Sequence, residues 1–280
     1  MPKQKQAKAI KNIRSHSHRD HVLVLMLCAI VLAILSTVLY FHETKTKKVD
    51  STPAVTVIKK QDDQVPKTKK KVRFEIRQKI LRDYTIPPVI NGLAPVLSSI
   101  PTKRPVVFLG IDDGANKQPF ELEMVKANNI KASLYLANRF ISNDYDYFKD
   151  YITAGSLIED HSMTHTLLAG KSYGFQKQEI CDTAELFLSK YGRRPIFFRP
   201  PGGSYDVTTQ RAAADCGMKA VVLWIAKANG GSMQYQIGNK LRPGDIVLMH
   251  FRPEFKADMQ AFLNAQNAAG LHTELLEDWL

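Results

Sequence analysis

The sequence predicts an α/β fold: a distorted (β/α) barrel of about seven parallel strands, preceded by one N-terminal transmembrane helix and a linker. Three observations predict it. From Pro105 onward, seven short runs rich in Val, Ile, Leu and Phe alternate with longer stretches of helical period. Several helical stretches end on a glycine (Gly155, Gly192, Gly217, Gly270), the residue that tolerates the left-handed conformation of a helix stop. Ahead of them, Val22 to Phe41 is a run of twenty residues without one charge. On periodicity alone an open doubly wound sheet is the runner-up to the barrel, and no Gly-rich phosphate loop supports a nucleotide-binding version.

The charge divides the chain. The formal net charge is +12, yet residues 105–280 carry 18 basic and 20 acidic side chains, so the excess lies in the N-terminal third. A nucleic-acid-binding body would spread its cations over the folded face, and this one does not. At about 1.5 Å per residue, the uncharged run spans roughly 30 Å, the thickness of a bilayer core. Lys3, Lys5, Lys8, Lys11, Arg14 and Arg19 precede it, which puts residues 1–21 in the cytoplasm and everything after Phe41 outside. A cleaved signal peptide is the competing reading. The run is long for one, and Leu39-Tyr40-Phe41-His42-Glu43 is too bulky for a cleavage site.

Residues 42–104 read as a basic stalk and extended lead-in. The first part is rich in Lys and Thr and broken by Pro53 and Pro66. Then Pro87, Pro88, Pro95 and Pro101 impose an extended path whose Val89, Ile90, Leu93, Val96 and Leu97 are apolar enough to pack on the flank of the domain. Residues 105–280 form the domain itself. Its strands are expected at Val106–Ile111, Ala132–Leu136, Ser156–Glu159, Pro195–Phe198, Ala220–Trp224, Ile246–Met249 and His272–Leu275. Helices are expected at Pro119–Asn128, Tyr145–Ala154, Lys177–Tyr191, Thr208–Cys216 and Lys256–Ala269. Cys181 and Cys216 are the only thiol pair outside the anchor. In an external compartment they are either bridged or two buried thiols.

Polar residues recur just past these strands. Asp112 and Asp113 follow the first, His161 and His165 the third, Arg199 and Tyr205 the fourth, and His250 the sixth. In a parallel barrel all of these places share one rim. The two histidines, four apart, would share one face if their backbone were helical, and could then converge on one cation. Each residue also has a bland reading: Asp-Gly is a common turn, His250 ends an apolar strand, and Arg199 can serve as a structural ion-pair partner. Taken together, a carboxylate and two imidazoles hold a divalent cation, a second carboxylate takes a proton from water, and a histidine opposite protonates a leaving nitrogen. That combination is metal-assisted hydrolysis of an amide or ester.

From about Pro105 to its end the chain resembles the polysaccharide deacetylases of carbohydrate esterase family 4, the NodB-homology domain, in four of five motifs and in their order. The four are Ile111-Asp112-Asp113-Gly114, His161-Ser162-Met163-Thr164-His165, Arg199-Pro200-Pro201-Gly202 with Tyr205, and Leu241-Arg242-Pro243-Gly244-Asp245 running on to His250. The resemblance implies a distorted β/α barrel, with Asp112 as general base and Asp113, His161 and His165 as metal ligands. It implies His250 as general acid, Arg199 orienting Asp112, and the backbone N–H of Tyr205 binding the oxyanion. Leu248 would line the pocket for the acetyl methyl. Apart from the resemblance, Trp224, Tyr205 and Phe251 read equally well as a sugar-stacking platform and as aromatic packing on the rim. The implied cofactor is a divalent metal, zinc before cobalt, nickel or manganese. The implied substrate is an N-acetylated cell-envelope polysaccharide, reached from the membrane by the N-terminal helix, with no nucleic-acid partner. A non-catalytic carbohydrate-binding domain and an O-acetyl esterase are the alternatives. The fourth motif departs from the pattern, because Lys227 in Trp224-Ile225-Ala226-Lys227-Ala228-Asn229 stands about where a carboxylate is usual. That departure bears on His250 and on the seating of Arg199, and Gly203 suggests a more open groove beside the arginine.

Overall fold

The computed structural model describes residues 83–280; the basic tail, the expected anchor and most of the stalk lie outside the described residues. Among the described residues no helix is long and apolar enough to cross a membrane. Ten strands form one sheet: β1 Val96–Leu97, β2 Val106–Asp113, β3 Ser133–Leu136, β4 Leu157–Asp160, β5 Phe197–Phe198, β6 Ala220–Val222, β7 Ala226–Asn229, β8 Ser232–Tyr235, β9 Ile246–His250 and β10 His272–Thr273. Their order is β1-β6-β5-β4-β3-β2-β9-β7-β8, with β10 added beside β2. Every pairing is parallel except the β7–β8 hairpin. The seven expected strands are present. Three were not expected: β1 forms one end of the sheet and the β7–β8 hairpin the other, and no pairing joins the two ends, so the sheet curls without closing.

Helices α1 Pro119–Ala127, α2 Asn138–Ile141, α3 Lys149–Thr153, α4 Tyr173–Tyr191, α5 Val207–Asp215 and α6 Phe255–Ala268 connect the strands. Local chemistry sets their ends. Pro119 opens α1, Ser172 caps α4 by accepting from the Phe175 N–H, and Asp206 caps α5 by accepting from the Thr209 N–H.

Alternation along β2 separates two cores. Val107, Leu109 and Ile111 meet the outer helices, where they join Phe148, Tyr151, Phe251 and Phe262. Val106 and Phe108 point into the curl, where they join Tyr135, Phe197, Val222, Ile246 and the 3-10 turn Leu276–Trp279. Trp279 is fully buried, edge-on to Phe108 at 5.5 Å, and plugs one end of the interior. The end of the 42–104 segment belongs to this folded unit. Ile86 is buried and donates its N–H to the Trp279 carbonyl, β1 joins β6, and Ile100 donates to the carbonyl of Gly244. Gly244 is required there: at φ +82°, a Cβ would lie 1.8 Å from the Ile100 carbonyl oxygen.

Candidate metal centre and hydrolytic site

Two adjacent carboxylates on a strand should face opposite sides of the sheet. Asp113 escapes that rule because its φ is +75°, a left-handed residue at the last position of β2, so Asp112 and Asp113 both reach the interior end. Asp112 is level with Tyr135 on β3 and with His250 on β9. Its Oδ1 accepts from Arg199 Nη1 at 2.6 Å, and both side chains are buried. Arg199 lies 3.9 Å over the Tyr135 ring and donates to the carbonyls of Val222 and Leu223. The arginine is therefore seated without a fourth-motif carboxylate, by backbone oxygens and an aromatic face. It fits only because position 110 is glycine: a Cβ there would sit 2.3 Å from Arg199 Nη1. An isolated glycine inside an apolar strand signals such close approach, and Gly110 is the site residue that the sequence reading passed over.

The histidines converge, but not on a helix. Residues 161–165 form a loop past β4 in which Ser162 (φ +71°) and His165 (φ +59°) are left-handed. The turn folds back on itself through Ser162, whose N–H donates to Asp160 Oδ1 and whose Oγ accepts from the His165 N–H. Glu179 on α4 clamps it from one side, accepting from the Thr164 N–H at 2.8 Å and the Thr164 hydroxyl at 2.9 Å. From the other side, the Asn138 and Arg139 N–H groups of α2 donate to the carbonyls of Ser162 and Met163. The Cys181–Cys216 pair is bridged and ties α4, two residues beyond Glu179, to the end of α5.

His161 Nδ1 donates to the Arg199 carbonyl at 2.6 Å, which turns Nε2 toward the site. Asp113 Oδ1 lies 3.5 Å from His161 Nε2 and 3.1 Å from His165 Nε2. The three ligand atoms lie close enough together to surround one divalent cation, and three protein ligands leave a tetrahedral ion one position for another ligand. It is the one group of three or more potential ligands among the described residues. Burial alone would raise the Asp113 carboxyl, but the hydrogen bonds from His161 and His165 outweigh it and hold the group well below the usual carboxylate range. Its outer oxygen, Oδ2, faces Arg252 Nη2 at 3.3 Å.

The remaining expected residues take up the other side. His250 is half-buried at the end of β9, and burial pushes its imidazole below the usual range against the pull of Asp112 and Asp113. Leu248 is buried on the same face of β9, level with Gly110. Tyr205 is exposed, and its N–H donates to no backbone acceptor among the described residues. The Trp224 ring covers Gly203, 3.2 Å from where a Cβ would be, so the space left by that glycine is filled and the groove is not opened there. Phe251 is fully buried, stacked on Phe255 and packed against Phe148 and Tyr151, and contributes nothing to the rim. Lys227 lies on the unexpected strand β7, level with Leu248.

A family model described as polysaccharide deacetylase matches residues 99–221. An uncharacterized protein of Streptomyces coelicolor is 34% identical over 194 residues, 67% of this chain and 78% of that protein. A peptidoglycan-N-acetylglucosamine deacetylase of Bacillus cereus is 25% identical across 54% of this chain and 75% of its own length. Among solved structures, a carbohydrate esterase family 4 pseudoenzyme from Bacillus anthracis superposes with a TM-score of 0.58 at 20% identity, covering 67% of this chain and 69% of that one. This last likeness is one of fold.

Proposed function

Because the chain belongs to the polysaccharide deacetylase family, we propose that it is a metal-dependent hydrolase that removes N-acetyl groups from a cell-envelope polysaccharide, peptidoglycan or another N-acetylglucosamine polymer. One observation carries the reading: Asp113, His161 and His165 converge on one point beside a second carboxylate, Asp112, that a buried arginine holds. Asp113, His161 and His165 would hold the metal, which when bound supplies a Lewis acid for the acetyl carbonyl. Asp112, fixed through Oδ1 and with Oδ2 3.6 Å from His161 Nε2 at the edge of the ligand set, would take the proton of the attacking water. The N–H of Tyr205, without a backbone acceptor among the described residues, would donate to the charge that develops on the carbonyl oxygen. His250 then gives a proton to the leaving nitrogen, releasing acetate and a free amine.

The proposal includes an uncleaved anchor at residues 22–41 with the domain outside the cytoplasm. The uncharged run, the basic residues before it and the Cys181–Cys216 bridge support that location. Full-length protein in detergent, loaded with zinc, is expected to release acetate from N-acetylated glycan. Chelation should abolish release and added metal restore it, while Asp112→Asn should slow it about 10²–10⁴-fold. No acetate from any such glycan with metal restored would remove the reading. Lys227, in place of a carboxylate, favours one other: a surface domain that binds glycan without turning it over. A glycan pull-down beside the acetate assay separates the two, and an O-acetylated glycan in the same assay separates ester from amide hydrolysis.

A further inference from the structure

Asp112 and Asp113, adjacent at the end of β2, are each met by one arginine. The two arginines are unlike. Arg199 is buried with its partner, whereas Arg252, two residues past His250, has a side chain 45% exposed and donates from Nη2 to Asp113 Oδ2 at 3.3 Å. The chain on either side of Arg252 is pinned. Phe251 donates its N–H to the Asp112 carbonyl, accepts at its own carbonyl from the Asn116 N–H, and buries its ring in the outer core. The Arg252 carbonyl then accepts from the Phe255 N–H at the start of α6. The arginine is thus delivered to the end of β2 by fixed main chain, not by a free loop.

Its contact divides the Asp113 carboxylate. Oδ1 faces His161 Nε2 and His165 Nε2, while Oδ2 has Arg252 as its one hydrogen-bond donor among the described residues. An ion pair exposed at both ends would add little to stability, but here the carboxylate end is buried, 7% exposed, where a charged oxygen without a donor is costly. Without the guanidinium, the positive group left within reach of Oδ2 is the bound cation itself. A carboxylate turned that way ligates through both oxygens and fills a position that a catalytic metal keeps for water and substrate. We propose that Arg252 is a positioning residue of the metal centre: it holds the outer oxygen of Asp113 off the cation, so that Asp113 ligates through one oxygen and that position stays open. The inference rests on the metal-dependent reading of the site and adds the residue that keeps the metal accessible.

The full-length protein, stripped of metal, is loaded with cobalt(II), whose visible absorption reports coordination geometry and weakens as the coordination number rises. Arg252→Met, at a side chain exposed enough for the fold to tolerate the change, is expected to lose part of that absorption. Its zinc affinity in chelator competition should stay at or above that of the unaltered protein. Acetate release by the zinc-loaded variant should fall about 10–100-fold. A cobalt spectrum that superposes on that of the unaltered protein would overturn the proposal, as would full acetate release by the variant. Weaker zinc binding would overturn it too, because Arg252 would then assemble the ligand set and not guard its open position. If the unaltered protein takes up no cobalt, the metal reading and the proposal fall together. If it takes up metal but releases no acetate, the deacetylase reading alone falls, and the spectrum and the zinc affinity still decide the role of Arg252.

Discussion

The two banks of the site are built differently. On the bank made by β2, β4 and β5, each polar group is held by another: Asp112 by Arg199, Arg199 by two carbonyls and the Tyr135 face, His161 by the Arg199 carbonyl, and the histidine loop by Glu179. On the bank made by β7 and β9, His250 and Lys227 are half-buried on strands near the open end of the sheet, and Trp224 is half-buried in the link ahead of β7. Under the proposed function a base and metal ligands need fixed geometry, because a misplaced ligand atom would lose the cation. The groups that meet a leaving group and a polymer need room for it. The braced bank should therefore be brittle and the open bank tolerant.

The largest break is expected from Arg199→Met. It strands the buried Asp112 charge, should cost about 3–5 kcal/mol of stability in chemical denaturation, and should abolish acetate release. Next comes Glu179→Gln, two shells from the chemistry. Loosening the loop should weaken zinc binding about 10–100-fold in chelator competition, and unchanged affinity would show that the clamp is ornamental. Smaller again is Asp206→Asn, at the α5 cap. Asp206 accepts from the Gly170 and Thr209 N–H groups, and the Gly170 bond, ahead of burial, holds its carboxyl below the usual range. A depressed carboxyl stabilises the fold above its unfolded pKa of about 3.9 and loses that contribution as pH falls through the folded value. The variant should thus be slightly less stable at pH 7, a gap that closes as pH falls through the folded value in pH-dependent melts. The smallest effect is expected on the open bank: Lys227→Asp should change kcat on neutral glycan less than about fivefold. A gain of a hundredfold or more would mean that the bank is not tolerant but defective.

Much of this was legible because buried parallel strands must be apolar runs, as Val106–Leu109 and Ile246–Met249 are. The β7–β8 hairpin was not, since Ala226-Lys227-Ala228-Asn229 has little strand propensity and is held by its neighbours. Only the Gly230-Gly231 turn announced it. The spacing of His161 and His165 pointed to the right pair for a reason the backbone does not honour: two left-handed residues, not a helical turn, bring the rings together. Phe251 looked like a rim aromatic from its place after His250, but the chain leaves the strand there and drops its ring into the outer core. The seat of Arg199 could not be anticipated because it consists of backbone carbonyls, which every residue offers alike.

The plug at Trp279 carries a consequence for how the protein comes into being. The indole fills the interior against Phe108, and its carbonyl receives the N–H of Ile86, nearly two hundred residues earlier in the chain. A nascent polypeptide halted before Trp279 has no means of sealing that cavity, however complete its strands. The turn Leu276–Trp279 is thus the keystone of the interior, and that end of the curl stays unsealed until the turn docks against Phe108 and Ile86.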